Sequence, residues 1–388
     1  MKTERWNRIW VLALFAALLA LSACGAAPAG TRDLRIAVTG DREVYDYDPS
    51  ILKAVELAVD ECGALYAAEG WRISCETADD DSVYDRGVTQ AAALAGDGGG
   101  TAILGTHNFS IVDMAAELAS QNGALYVAFN GCNDAVTAKG YQTVFSNVYG
   151  AARSGAAMGA YAAGAPDIQR VAVYSSAVSY EPDWVRAFCR ALSGQGARVV
   201  DCAGTATDYN EFRSTAERWK LLGVDTVLIL EYYADDAYDA AEWLHGLMPG
   251  VRLLGDSSFD YEARLEASAE AVEGLVIPDV LPAGGGRALA EFETRYAQRY
   301  GEMPSRWAAH AYDTVRMVAD TAVGCGSAAG ADVAAALHGE DGYVGLCGPV
   351  RFDDGGALSG EEQRLLVCRD GAFIELTEED GADGETGE

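Results

Sequence analysis

Basic side chains are scarce in this chain: 28 lysines and arginines stand against 59 aspartates and glutamates in 388 residues, a formal net charge of −31. Nucleic acid and anionic lipid headgroups would be repelled by such a surface and are excluded as partners. Beyond residues 9–20 no apolar run approaches the roughly 20 residues that span a bilayer, so a soluble body outside the cytoplasmic membrane is expected. There is no Cys-x-x-Cys, and His107, His245, His310 and His338 are scattered, so zinc-type spacing is missing. A Gly-x-Ser-x-Gly elbow, a phosphate loop ending in Gly-Lys-Ser/Thr and a His-Glu-x-x-His pair are also lacking. Asp79-Asp80-Asp81 does not have the spacing of a calcium loop and reads as a solvated turn. An enzyme is therefore the weakest functional class, and neither metal nor cofactor is expected.

The N-terminus carries the clearest signal. Lys2, Arg5 and Arg8 precede an almost wholly apolar stretch and then small residues, the layout of a cleaved secretory signal. Leu21-Ser22-Ala23-Cys24 resembles the lipobox of bacterial lipoproteins. The resemblance implies that residues 1–23 are removed and that Cys24 carries a diacylglycerol thioether, with residues 24–32 as a tether. An ordinary signal peptide with a chance cysteine is the plainer alternative. At the other end, residues 377–388 hold six acids and no large apolar residue, which reads as a disordered acidic tail.

Eight cysteines lie beyond Cys24, in a chain whose export would permit oxidation. Cys62 and Cys75 are 13 apart, as are Cys189 and Cys202, each pair running from the end of a predicted helix into the next strand. Leu52, Val55, Val59 and Cys62 share one helical face, as do Val185, Cys189 and Leu192, so the first thiol of each pair is expected to face a sheet. A disulfide within each pair and a small buried hydrophobe at each place are the two alternatives.

From residue 33 onward short apolar strands alternate with helices. Strands are expected at 34–38, 71–76, 101–104, 124–128, 170–174, 197–201, 226–230, 252–254 and 275–277, with helices starting near 49, 84, 110, 151, 181, 211, 234 and 261. Such repeats with near-continuous apolar strands predict an α/β chain with parallel sheets covered on both faces. After residue 277 three helices follow one another, at 287–300, 305–323 and 331–337, before short strands at 350–352, 364–368 and 372–376.

Several stretches in order resemble the leucine/isoleucine/valine-binding family of extracytoplasmic solute receptors. They include Tyr300-Gly301-Glu302-Met303-Pro304-Ser305 with Ala309-His310-Ala311-Tyr312-Asp313, Glu56-Leu57-Ala58-Val59-Asp60-Glu61, Glu231-Tyr232-Tyr233, Ala271-Val272-Glu273-Gly274 and Gly348-Pro349-Val350-Arg351-Phe352-Asp353. The resemblance implies the two-lobed type I periplasmic-binding-protein fold, each lobe a parallel sheet flanked by helices, with three hinge crossovers. The first lobe would comprise residues 33–148 and 280–349, the second 149–279 and 350–376. A small-molecule ligand, an amino acid or related metabolite, would be captured between the lobes for an ABC transporter permease. The alternative is a receptor that reports its ligand to a membrane sensor.

Open parallel sheets bind ligands at the carboxyl ends of their strands, where helix N-termini favour an anionic group. Ser110, beside Phe109 and three residues before Asp113, reads as a helix cap; by resemblance it also holds the ligand's carboxylate. Asn130, Gly131 and Cys132 stand in the family's pocket-wall run, with Cys132 in place of a threonine. Tyr180 and Tyr233 match tyrosines that close over the ligand, and Tyr232 lies beside them. Glu231 replaces a usual glycine. The family's ammonium-binding acid falls at Ser257, with Asp256 one residue earlier. An amine-bearing ligand is favoured if Asp256 or Glu231 faces the cleft.

Overall fold

The computed structural model describes residues 31–377, except 97–99, 106–107, 130–133, 177–180, 195, 283, 340–341, 361 and the side chains of 109, 181, 262 and 263. The signal segment, Cys24, and residues 378–388 of the acidic tail lie outside this range. In chain order the first half of the molecule runs β1 (Arg32–Gly40), α1 (Arg42–Tyr47), α2 (Ser50–Tyr66), β2 (Trp71–Asp79), α3 (Tyr84–Ala95), β3 (Thr101–Gly105), α4 (Phe109–Asn122), β4 (Leu125–Ala128), α5 (Asp134–Thr137) and β5 (Val144–Ser146). These strands form one parallel sheet in the order β2-β1-β3-β4-β5.

The chain then crosses to a second sheet through α6 (Ala151–Gly164), β6 (Arg170–Ser175), α7 (Glu181–Leu192), β7 (Arg198–Gly204), α8 (Tyr209–Leu222), β8 (Thr226–Leu230), α9 (Ala234–Leu247), β9 (Arg252–Leu254), α10 (Glu262–Ala267) and β10 (Val276–Pro278). It returns for α11 (Gly286–Tyr300), α12 (Arg306–Cys325), α13 (Gly330–Leu337), β11 (Tyr343–Gly345), β12 (Gly348–Phe352) and β13 (Leu358–Ser359). Finally β14 (Leu365–Arg369) and β15 (Ala372–Glu375) add antiparallel to the second sheet, whose order is β15-β14-β10-β9-β8-β6-β7.

Period-two side-chain alternation explains why both faces of each sheet are dry. Along β6, Val171 and Val173 join the core beneath α6 and α7, while Ala172 and Tyr174 point to the opposite core with Phe212 and Trp219 of α8. Burying each of these large side chains contributes about 1.5–3 kcal/mol. In the first lobe Leu34, Ile36 and Val38 pack with α2 and α12, whereas Ile103, Tyr126 and Ala128 face the other core.

Three crossovers lie side by side between the lobes. The Tyr149 N–H donates to the Val280 carbonyl (2.8 Å), and the Asp279 N–H donates to that of Arg364 (2.9 Å). The third crossover corrects the expected boundary at residue 349. β12 pairs with β11 and β13, and Ala357 bridges Ser146 of β5, so the first lobe keeps the chain to Ser359. Asp279, 1% exposed, knots the hinge by accepting from Arg306 (2.5 Å) and Arg364 (2.7 Å). Arg306 also donates to Asp260 of the second lobe (2.9 Å).

Cys62, Cys75, Cys189 and Cys202 are free thiols in this structure. The Cys62 thiol is buried beside Arg316 and Asp320 of α12, and burial pushes its pKa up to about 12. Cys75 sits on β2 opposite Ile36 and is likewise raised to about 12 by burial.

Candidate functional site

A cavity of about 420 Å³ opens between the lobes at the carboxyl ends of β1, β8, β9 and β10. That volume suits a small organic ligand. From the first lobe it is walled by Asp41, Glu43, Val44 and Tyr47, which lie on or just before α1, and by Ser82 after β2. The local sequence dictates this wall: Asp41 follows the buried end of β1 and caps α1, accepting from the Glu43 N–H at 2.8 Å. The crossovers supply Val148, Tyr149 and Val280, and Trp307 enters from the first turn of α12.

The second lobe contributes Glu231, Tyr232, Tyr233 and Asp235 after β8, then Asp256, Ser257, Ser258 and Tyr261 after β9. Glu231 is 1% exposed, and the Thr205 hydroxyl donates to its two carboxylate oxygens at 2.7 and 2.9 Å. Asp256 caps the short turn Ser257–Phe259 by accepting from the Ser258 N–H at 3.0 Å. Tyr47 spans the cleft: its hydroxyl donates to Asp235 at 3.1 Å, and its ring stands edge-on to Tyr261 at 5.3 Å. The two lobes are thus held together across the cavity mouth.

Electrostatics reports the same crowding of acids. Burial pushes the Tyr232 hydroxyl up to about 12, assisted by Tyr233 and by Asp41 and Asp80 of the opposite lobe. Tyr261 is also raised to about 12 by burial, then by Asp260, Asp48, Tyr47 and Asp256. Each shift has the same origin, because ionising a phenol among carboxylates in a partly dry cleft is unfavourable.

Of the residues singled out in the sequence, Glu231, Tyr232, Tyr233, Asp256 and Ser257 meet at this cavity. Asn130, Gly131, Cys132 and Tyr180 lie outside the described residues, as does the Phe109 side chain. Ser110 is not the helix cap. It is exposed and is not among the described lining residues, and the cap of α4 is Asn108, whose Oδ1 accepts from the N–H groups of Ser110 (3.1 Å) and Ile111 (3.4 Å). Asp113 does not close a capping box but pairs with Lys139. Asp41, Glu43, Tyr47, Trp184, Tyr261 and Trp307 were not singled out. Asp41 and Glu43 follow an apolar strand, the same signal that marks Glu231, and could have been found by it.

The model of the family described as periplasmic binding protein matches residues 36–361, most of the chain. The chain belongs to the periplasmic binding protein family. This is a family of solute-binding proteins rather than an enzyme class, and membership places this periplasmic binding protein outside the cytoplasm. No curated protein matches the sequence. Among solved structures, an ABC transporter substrate-binding protein from Desulfitobacterium hafniense in complex with Leu shares 23% identity at a TM-score of 0.76, covering 89% of this chain and 100% of its own. A leucine-binding protein from Thermotoga maritima shares 20% identity at a TM-score of 0.76, with 89% and 98% covered. A solute-binding protein from R. palustris in complex with benzoate shares 18% identity at 0.72, with 89% and 95% covered. All three share the two-lobed type I fold. No helix among the described residues is long and apolar enough to cross a membrane, and none of their His, Cys, Asp and Glu side chains group to hold a metal.

Proposed function

We propose that this periplasmic binding protein captures an amino acid or related small metabolite between its lobes and presents it to an ABC transporter permease. The observation that carries this reading is the cavity itself, which sits at strand ends and draws its walls from both lobes and the hinge. No covalent step is required. Ligand contacts made from both sides favour the closed arrangement, and the open–closed equilibrium shifts by that preference. The solved relatives that bind leucine or benzoate lend support, since they carry ligands of similar size on the same fold.

A thermal-shift screen of amino acids, short peptides and other small metabolites tests the reading, because a ligand bound only by the native state raises apparent stability. For any hit, Tyr233→Ala is expected to weaken binding by up to about tenfold, the loss of ring area and of a hydrogen bond worth about 0.5–1.5 kcal/mol. Folding should be nearly unaffected, as Tyr233 is 66% exposed. Unchanged affinity in calorimetry would remove Tyr233 from the site.

The same reading places the protein on the membrane surface through a lipid on Cys24. Its support is the Leu21-Ser22-Ala23-Cys24 run behind a short apolar segment. Cys24→Ser should yield an unprocessed or shed protein, and mass spectrometry of the wild-type N-terminus should find a diacylglycerol adduct on Cys24. A mature N-terminus elsewhere without lipid would overturn the anchor.

A further inference from the structure

The wall of the cavity restricts the charge of what it can hold, and this step rests on the capture reading above. Asp41 and Glu43 from one lobe and Glu231, Asp235 and Asp256 from the other are among the residues that line the cavity, and no lysine, arginine or histidine is among the described ones. The internal stretches outside the described residues contain no lysine or arginine and one histidine, His107. Guanidinium groups near the lining residues do not join them: Arg264 pairs with Asp235 (3.4 Å) and Asp239 (3.1 Å), Arg153 lies over the Tyr149 ring at 4.2 Å, and Arg306 is tied to Asp260 and Asp279. A cleft lined by one sign of charge between low-dielectric walls concentrates the opposite sign.

An anionic group in such a fold would ordinarily be seated on helix N-termini. Here the protein's own side chains take several of those positions. Asp41 caps α1, Asp235 and Asp236 occupy the first turn of α9, and Asp256 caps the turn after β9. Asn108 takes two amides of α4. Asp134 reaches from the first lobe to accept from the Ala152 N–H of α6 at 2.6 Å, so close to Gly150 that a Cβ there would stand 1.7 Å from its carboxylate. Asp41, Asp256, Asn108 and Asp134 thus take amides that a ligand carboxylate would use, while at the start of α9, which has no side-chain cap, two acids in the first turn oppose an anion.

The remaining walls are aromatic: Tyr47, Tyr149, Trp184, Tyr232, Tyr261 and Trp307. Ring faces carry negative potential and attract ammonium groups, most strongly where water is displaced. We infer that the cavity selects an organic cation, a primary amine or quaternary ammonium compound with an apolar body and no carboxylate to balance its charge. The ammonium group sits among the carboxylates and ring faces, and the apolar body lies against the remaining rings. A zwitterion would gain the first interaction but place its own carboxylate among like charges.

Calorimetry on the full chain with probes matched in body and differing in charge decides the matter: phenethylamine, phenylalanine and 3-phenylpropanoate; 3-methylbutylamine, leucine and 4-methylpentanoate; and benzyltrimethylammonium. The amines or the quaternary ammonium probe are expected to bind at least about tenfold tighter than the zwitterions, with the anions weakest and the cation affinity falling as salt rises. Glu231→Gln and Asp256→Asn should each weaken the cation about tenfold. Should either variant fail to fold, the double variant Glu43→Gln with Asp235→Asn alters exposed residues and should weaken the cation in the same direction. Leucine or phenylalanine binding as tightly as its amine overturns the inference while leaving solute capture standing. If no probe of any charge binds, and no member of a broad metabolite library shifts the thermal transition, the capture reading fails and takes the inference with it.

Discussion

Replacing Asp279 with alanine is expected to destabilise the protein by about 3 kcal/mol, the low end of what breaking a buried ion pair costs. Asp279 is buried at the middle crossover, where it faces Arg306 and Arg364, accepts from the Leu281 N–H (3.2 Å) and offers its backbone carbonyl to Gln363 (3.0 Å). Alanine keeps the backbone bonds and removes the shared anion. The cost stays at the low end because Arg306 keeps Asp260, Arg364 keeps Glu375, and both guanidinium side chains are partly exposed. Urea unfolding should show a lower midpoint at an unchanged slope. A loss below about 1 kcal/mol would mean that solvent screens the knot and that it contributes little. Asp279→Asn, which keeps the shape and one acceptor, should fall between the two.

How much of this architecture could be read from the chain follows from what each element depends on. Strands such as β1, β6 and β8 are buried on both faces and therefore appear as continuous apolar runs, which is why their positions were legible. α1 is six residues long, and β5, β11 and β13 are two or three; elements so short carry no period to detect. The third lobe boundary depends on which strand β12 pairs with, a long-range choice that local pattern does not encode.

The site divides in the same way. Glu231 and Asp256 come directly after apolar strands, where the fold class itself directs attention. Trp184, Tyr261 and Trp307 come from helices and turns, and whether such a side chain faces the cleft or the core depends on how its element packs. Ser110 is the cap expected from the sequence, although Asn108 two positions earlier is also a residue type that caps helices. The cap is Asn108, which leaves Ser110 exposed in the first turn.

Behind the cavity wall, His310 should make the fold sensitive to acid. It is fully buried on α12, its ring bonds to the Phe129 backbone, its Nε2 has no hydrogen-bond partner among the described residues, and Trp307 stands edge-on at 6.2 Å. Burial, helped by the nearby Arg306 charge, pushes its pKa from the ordinary 6.5 down to about 3. Between those values the unfolded chain binds a proton that the folded one does not, so stability falls as pH drops through the window, by about 1.4 kcal/mol per pH unit. Asp313, one turn further along, works in the opposite sense. Burial outweighs the amides of Leu346 and Cys347 and raises its carboxyl to about 6, so the folded state gains stability as pH falls from 6 towards 3.8. The two contributions offset each other in the wild type. Comparing wild type with His310→Asn by urea melts at successive pH values isolates the histidine. The stability difference between them should shift against the wild type by about 1.4 kcal/mol for each pH unit between 6 and 4. Asp313→Asn should shift the difference the other way. A wild-type minus His310→Asn difference that stays flat across this range would show that His310 takes up its proton in the folded state as readily as in the unfolded one, and that the core behind Trp307 is wetter than its packing indicates.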